Sequence, residues 1–147
     1  MSNIRKVALV SGETYHIFTR SIAGFEVFRS DKSFERFTQT MNYYNQSLPR
    51  PRLSDYLQLS PKARQENDSL RDNNPLVQIV AYCLMPTHIH LVLRQIKEGG
   101  ISTYMSNTLN SFSRYFNTAH KRRGPLWESK FKNVLVESDV HLLHLTR

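Results

Sequence analysis

Two histidines lie one residue apart in the apolar run "AYCLMPTHIHLVLRQI", which covers residues 81–96. On a β-strand, residues i and i+2 point to the same face, so His88 and His90 project together. Two imidazoles on one face can reach a single cation, and imidazole binds several divalent metals. The alternative is a pair of hydrogen-bonded or exposed strand histidines. This pair starts a strand directly after a turn with proline, where a substrate has access, which favours a metal site more than a His-x-His pattern alone does.

A hairpin must present these two side chains. "LVQIVAYCLMP" (76–86) predicts a buried strand that its proline ends, and "THIHLVLRQI" (87–96) predicts a second strand. Only "MPT" separates the cores of the two runs, which is typical of a tight hairpin. The intervening residues Ile89, Leu91 and Leu93 then point to the opposite face and meet the helices.

The rest of the chain supplies the elements that support this hairpin. In chain order, the apolar spacing predicts a strand over 12–20, a helix from about 33 to 48, a helix over 101–116, a strand over 131–138 and a helix over 138–147. Asp31 or Ser33 is the expected cap of the first helix. The order β-α-β-β-α-β-α predicts an α+β protein with a ferredoxin-like split β-α-β, an antiparallel sheet and helices mainly on one face.

One polar stretch interrupts this pattern. Residues 49–75 hold four prolines and no sustained apolar spacing. The length of the chain, 147 residues, corresponds to one domain. We therefore predict a single domain over 1–147 with a surface insertion at about 49–75, in which one short helix covers roughly 61–70.

Composition limits the cellular setting and the partners. The formal charge is +8, which suggests a polyanionic partner such as nucleic acid. The single cysteine, Cys83, excludes a disulfide framework and favours a reducing compartment. Neither a signal peptide nor a membrane-length apolar run is recognisable, so we expect a cytoplasmic protein without a membrane partner.

Positive charge concentrates in "SRYFNTAHKRRGPLWESKFKN", residues 113–133, where Glu128 is the only acid. Cations that neutralise phosphates, combined with an aromatic that stacks on a base, are typical of single-strand binding. Basic residues also favour helix C-termini, Gly124 can end a helix, and the tryptophan can equally belong to the core. The predicted DNA-binding residues are Arg114, Lys121, Arg122, Arg123, Trp127, Lys130 and Lys132.

The segment "YCLMPTHIHLVL" resembles the His-hydrophobic-His (HUH) motif of the Y1 tyrosine transposases. These include the IS200/IS605 insertion-sequence type and the REP-associated tyrosine transposases, to which the chain is most similar. "YHIFTRS", "FNTAHKRRGPLWESKFKNVLVES" and "LLHLTR" resemble the family in the same order. The resemblance covers nearly the whole chain except residues 49–75.

This resemblance implies a specific chemistry. In the family, the two histidines bind a divalent ion, Mg²⁺ or Mn²⁺, which polarises the scissile phosphate of single-stranded or hairpin DNA. A tyrosine then attacks and forms a 5′-phosphotyrosine link. Carried over, His88 and His90 are the metal ligands, while Thr87 stands where the family more often has Asn or Asp. Family members usually work as dimers, so a homodimer is also implied.

The resemblance does not assign a nucleophile within these 147 residues. The family's tyrosine lies on the last helix, and the match "LLHLTR" places it directly after Arg147, with the polar residue that completes the metal site four positions further on. We therefore predict that this chain is inactive without a following tyrosine. Tyr115, which basic residues flank, is the fallback, whereas Tyr104 belongs to the apolar stripe of its helix.

Two other functions compete with this interpretation. A ferredoxin-like sheet with a basic edge can be a non-catalytic nucleic-acid-binding module, which would not depend on a metal. A metal hydrolase for a small substrate would need carboxylates near the histidines, and Glu98 and Glu137 are the only candidates.

Overall fold

Four strands and four helices make up the part of the chain that the computed structural model describes, residues 7–47, 50–71 and 74–138. The strands are β1 (Thr14–Arg20), β2 (Val77–Met85), β3 (His88–Gln95) and β4 (Lys132–Leu135). The helices are α1 (Asp31–Tyr43), α2 (Leu53–Leu57), α3 (Pro61–Ser69) and α4 (Gly100–Ala119). A single 3₁₀ turn over Ile22–Gly24 follows β1.

The strands form one sheet in the order β2-β3-β1-β4, and every neighbouring pair is antiparallel. This order places β3 between β1 and β2, which makes the β1-α1-β2 unit a split one. Helices α1 and α4 pack against each other, and α4 also contacts β2 and β3. The predicted α+β fold with an antiparallel sheet is confirmed. The helix predicted over 138–147 lies outside the described residues, except for its first position.

The core lies between the sheet and this helical layer. Alternate residues of β3 enter it, and Ile89, Leu91 and Leu93 are each 0% exposed. Tyr15 and Ile17 on β1 do the same, because a strand buries every second side chain when only one of its faces is covered. Helix α4 contributes its apolar stripe at helical spacing: Ile101, Tyr104, Met105, Leu109, Phe112 and Phe116. Within the described ranges, no helix is both long and apolar enough to cross a membrane.

Helix α1 starts and ends differently from the sequence prediction. Its cap is Ser30, whose hydroxyl accepts the Ser33 N–H, rather than Asp31 or Ser33. The helix ends at Tyr43, five residues earlier than predicted. The physical reason is Asn45, whose side chain accepts from the Val77 N–H at 3.0 Å and donates to the Val77 carbonyl at 2.9 Å. This pairing stabilises the start of β2 at the expense of another helical turn.

The β2–β3 hairpin is closed by Pro86 and Thr87 alone, as predicted. The segment after β1 holds this turn from outside. The Val27 N–H donates to the Pro86 carbonyl at 2.7 Å, and the Ser21 N–H donates to the Thr87 carbonyl at 2.8 Å. These bonds fix the turn next to the end of β1, so the position of His88 is set by two separate parts of the chain.

The predicted insertion contains two short helices, α2 and α3, instead of one. Helix α3 starts at Pro61, and the Ser60 hydroxyl caps it by accepting from the Ala63 N–H at 3.2 Å. This agrees with the helix predicted near 61–70. Helix α2 is only five residues long and buries Leu53. A segment this short shows no helical periodicity in its sequence, so it is not predicted from the sequence.

Candidate metal and nucleic-acid site

The side chains of His88 and His90 lie on the sheet face opposite to the helices, because Ile89 and Leu91 occupy the helical face. The two imidazole rings are 5.0 Å apart between centroids and nearly perpendicular, at 88°. Both rings are half-buried. The structure therefore brings the predicted pair together on one accessible face.

Strand pairing decides which other residues share that face. Directly opposite residues of an antiparallel pair project to the same side. Arg20 lies opposite His88, and Phe18 lies opposite His90. On the far side of β1, Lys132 lies opposite Phe18. The register thus places an arginine and a lysine around the two imidazoles.

A third histidine, His16, belongs to the same cluster. It lies opposite Val92 and is therefore diagonal to His90, within reach of a long or aromatic side chain. Its Nε2 is 2.9 Å from His90 Nδ1, a hydrogen bond whose donor depends on the tautomers. The two rings are stacked with centroids 5.1 Å apart. Sequence reasoning missed His16, since its alternation with Phe18 predicts a shared face but not the register with β3.

His88 has a comparable partner in its neighbour. The Thr87 hydroxyl is 3.1 Å from His88 Nδ1. The Nδ1 atoms of both predicted ligands are thus hydrogen-bonded within the protein, and each ring keeps its Nε2 for another partner. A hydrogen bond at one ring nitrogen fixes the tautomer of the imidazole and the direction in which its other nitrogen points. Residues next to metal-binding histidines commonly support them in this way.

Burial lowers the pKa of His90 below its ordinary value, and the nearby charge of His88 lowers it further. A lowered histidine pKa favours the neutral ring at neutral pH. The neutral ring is the form that offers a lone pair to a cation.

The histidine pair lines a cavity of about 360 Å³ on the open face. Its other walls are Phe18, Thr19, Arg20, Glu128, Ser129, Lys130 and Lys132. Three of these side chains are cationic and one is a carboxylate. The Arg20–Glu128 pair is long, at 3.9 Å, and both groups are exposed, so it neutralises little of the positive charge. We call this space the histidine cavity.

His88 and His90 supply two imidazoles, which is only part of the ligand set of a divalent cation. Among the described residues, no group of three or more His, Cys, Asp or Glu side chains could hold a metal. Mg²⁺ in particular keeps several waters and often takes phosphate oxygens as ligands. Two imidazoles are therefore a usable part of a ligand set that water and a phosphate complete. Glu98 lies in the turn after β3, at the opposite end of that strand from His88.

Comparisons with known proteins support the fold. No protein-family model matches the chain, and no curated protein does. The structure of a candidate transposase from Deinococcus radiodurans R1 is similar with a TM-score of 0.53 and 15% identity, over 98% of this chain and 92% of that one. The chain shares the fold of that transposase structure. A structure of a REP-associated tyrosine transposase bound to a REP hairpin is also similar, with a TM-score of 0.49 and 15% identity, over 98% of this chain and 67% of that one.

None of the seven tyrosines, all of which the structure describes, lines the histidine cavity. Four have hydroxyls in hydrogen bonds elsewhere: Tyr15, Tyr43, Tyr44 and Tyr56. Tyr104 is buried in the core, and burial raises its pKa. Tyr115 packs beside Phe112, with the Arg36 guanidinium 4.5 Å above its ring. Tyr82 is exposed on β2.

The predicted DNA-binding residues are dispersed over several surfaces. Lys130 and Lys132 line the histidine cavity. Arg114 is exposed on α4, and Lys121 and Arg123 are exposed just after that helix.

Trp127 and Arg122 are engaged within the protein. Trp127 is half-buried and packs against the core, with Phe112 6.3 Å away between centroids. Arg122 donates to Asn117 Oδ1 and to the Pro125 carbonyl, both at 2.8 Å, and lies 5.3 Å from the Phe25 ring centroid. Arg122 therefore holds the turn after α4 rather than pointing to solvent.

We predict that Arg122→Ala destabilises the protein, whereas Arg123→Ala does not. The loss of two charged hydrogen bonds and a cation–π contact should lower the free energy of unfolding by roughly 1–3 kcal/mol. Thermal denaturation monitored by circular dichroism should show a fall in Tm of several degrees for Arg122→Ala alone. Equal melting temperatures for the two variants would contradict the structural role assigned to Arg122.

Proposed function

We propose that this chain is a transposase-like DNA-processing protein that uses the histidine cavity to bind a phosphate of single-stranded or hairpin DNA with a divalent cation. The observation that carries the proposal is the meeting of His88 and His90 with three cationic side chains in one cavity. The resemblance of the sequence around both histidines to the Y1 tyrosine transposases supports the same interpretation. The fold shared with a candidate transposase is consistent with it.

The residues of the cavity have distinct roles in this proposal. His88 and His90 would hold Mg²⁺ or Mn²⁺ through their Nε2 atoms, each with a proton on Nδ1. Thr87 Oγ1 and His16 Nε2 would accept those protons in hydrogen bonds and so orient the two rings. When bound, the cation would act as a Lewis acid on the phosphate.

The basic walls of the cavity suit a nucleic-acid strand. Arg20, Lys130 and Lys132 come from β1, from the loop before β4 and from β4 itself, and together they outnumber the single carboxylate. Such cations neutralise backbone phosphates irrespective of sequence. Phe18 adds an aromatic ring on the same wall, on which an unpaired base could stack.

None of the seven tyrosines of the chain lies where the nucleophile of the family mechanism would be needed, on the wall of the histidine cavity. Tyr115, the fallback, lies on α4 and packs into the helical layer, so the sheet separates it from His88. We therefore propose that DNA binding and metal binding do not lead to a phosphotyrosine link through any of these seven tyrosines.

A non-catalytic nucleic-acid-binding module is the second candidate. The cationic walls of the histidine cavity would serve such a module as well. It differs from the first candidate in the role of the metal, since a binding module does not need His88 and His90 as ligands. A hydrolase for a small substrate finds less support, because Glu128 is the only carboxylate among the described residues that line the cavity. The single-domain organisation, homodimerisation and cytoplasmic location stay predictions.

We predict that the protein binds Mn²⁺ weakly and that His88→Ala or His90→Ala abolishes detectable binding. Mn²⁺ lies at the weak end of the divalent series, and removal of either imidazole leaves a single protein ligand. Titration followed by the electron paramagnetic resonance signal of free Mn²⁺ measures the affinity directly. His120→Ala, which removes an exposed histidine outside the cavity, is the matched control and should bind as the parent protein does.

His16 provides a finer test of the same site. His16→Phe keeps an aromatic ring in the stack but removes the acceptor for His90 Nδ1, so Mn²⁺ affinity should fall by about tenfold or more. His16→Gln can still accept that hydrogen bond and should retain most of the affinity. An unchanged Mn²⁺ affinity in His88→Ala and His90→Ala would refute the proposed ligands, whatever His16 does.

We also predict that the 147-residue chain forms no covalent adduct with DNA. Labelled hairpin DNA with a single-stranded flank should migrate free of protein in a denaturing gel after incubation with Mn²⁺. The physical reason is that no described tyrosine hydroxyl is near the predicted metal ligands. A denaturation-resistant adduct that disappears in one Tyr→Phe variant, Tyr115→Phe first, would contradict this prediction and identify the nucleophile.

A further inference from the structure

A second cavity lies in the helical layer. Its volume is about 420 Å³, and it opens between α4 and the segment that follows α1. The described residues that line it are polar or cationic, with no carboxylate among them: Tyr44, Gln46, Ser47, Arg50, Arg52, Thr103, Asn107, Asn110 and Arg114. It shares no residue with the histidine cavity, which lies on the other face of the sheet. We call it the arginine cleft.

Arg50 builds one wall of the cleft and is not free to bind a ligand. Its guanidinium donates to Asn67 Oδ1 at 3.1 Å and to Asp68 Oδ1 at 2.6 Å. It also lies over two tyrosine rings, 4.3 Å from the centroid of Tyr43 and 4.7 Å from that of Tyr56. These contacts attach α3 to the end of α1. The predicted insertion is therefore folded against the helical layer and supplies a wall of the cleft.

Two other arginines keep their charge available. Arg52 and Arg114 are both exposed. The Arg52–Asp55 pair is 3.8 Å long between exposed groups, so water screens most of the attraction. Arg114 forms no ion pair with any residue in the described ranges. The cleft thus presents two available cations from separate parts of the chain.

The floor of the cleft is one face of α4. Thr103, Asn107, Asn110 and Arg114 follow each other at spacings of three or four residues, so they form a line along the helix surface. At 1.5 Å per residue this line is about 16 Å long. Hydroxyl and amide groups are common donors to phosphate oxygens. Such contacts do not depend on the base sequence.

An elongated basic cleft of this kind matches a regular polyanion better than a single small anion. One strand of duplex DNA carries a phosphate every 3.4 Å along the helix axis, so a line of this length can meet more than one phosphate. We propose that the arginine cleft binds the sugar–phosphate backbone of a nucleic acid as a second contact, independent of the histidine cavity. The insertion then has a role, since it forms the wall that carries Arg52. This inference goes beyond the proposed function because it uses neither the histidines nor a divalent metal ion.

The test compares the salt dependence of DNA binding in matched variants. Arg52→Ala/Arg114→Ala removes both available cations, whereas Lys32→Ala/Lys62→Ala removes two exposed lysines outside both cavities. Fluorescence anisotropy with a labelled DNA hairpin, in EDTA and over a range of salt, gives the slope of log K against log salt. The cleft variant should reduce that slope by about 2 and weaken binding at 0.1 M salt by about tenfold or more. Arg52→Lys/Arg114→Lys should retain the slope.

A slope in the cleft variant equal to that of the lysine control would overturn the proposal. So would an Arg52→Lys/Arg114→Lys variant that has the parental Tm but a reduced slope, because that variant keeps both charges. Mn²⁺ titration separates this inference from the proposed function. The cleft variant should keep the parental Mn²⁺ affinity. If inorganic phosphate binds the cleft but the DNA slope does not change, the ligand is a small phosphate compound and the proposal is wrong.

Discussion

The pairing register between β1 and β3 is the constraint on which the candidate site depends. It sets Arg20 opposite His88 and Phe18 opposite His90, and it brings His16 to within 2.9 Å of the His90 ring. Because side chains alternate along a strand, a shift of one residue would turn the imidazoles into the core. Burial of polar rings without partners is costly, so the apolar residues between the histidines enforce the register. The packing of Ile89 and Leu91 thus determines the geometry of the open face.

The sheet separates two surfaces with different chemistry. The open face combines imidazoles with cations and suits a phosphate bound together with a metal. The helical layer combines arginines with amides and suits a phosphate backbone alone. Both surfaces are built by segments remote in sequence, since β4 and the loop before it complete one and the segment after α1 completes the other. Each surface therefore draws its cations from several segments rather than from the single basic stretch at residues 113–133.

Sequence patterns predicted the local features well and the long-range ones poorly. The two-residue hairpin, the common face of His88 and His90 and the apolar stripe of α4 follow from periods of 2 and 3.6 residues, which neighbouring residues alone determine. The contact between His90 and His16 does not follow from such periods, because the two residues lie 74 positions apart in the sequence. The early end of α1 at Tyr43 depends in the same way on a contact between Asn45 and Val77. Arg122 and Lys130 look alike in sequence, yet one holds a turn and the other lines a cavity.

The central claim is that His88 and His90 bind one divalent cation between them. Electron spin-echo modulation of bound Mn²⁺ tests it most directly, since the method detects nitrogen nuclei coordinated to the metal. We predict a signal from two imidazole nitrogens in the parent protein and the loss of that signal in His88→Ala or His90→Ala at the same Mn²⁺ concentration. A signal without nitrogen coupling, or one that persists unchanged when both histidines are replaced, would contradict the account.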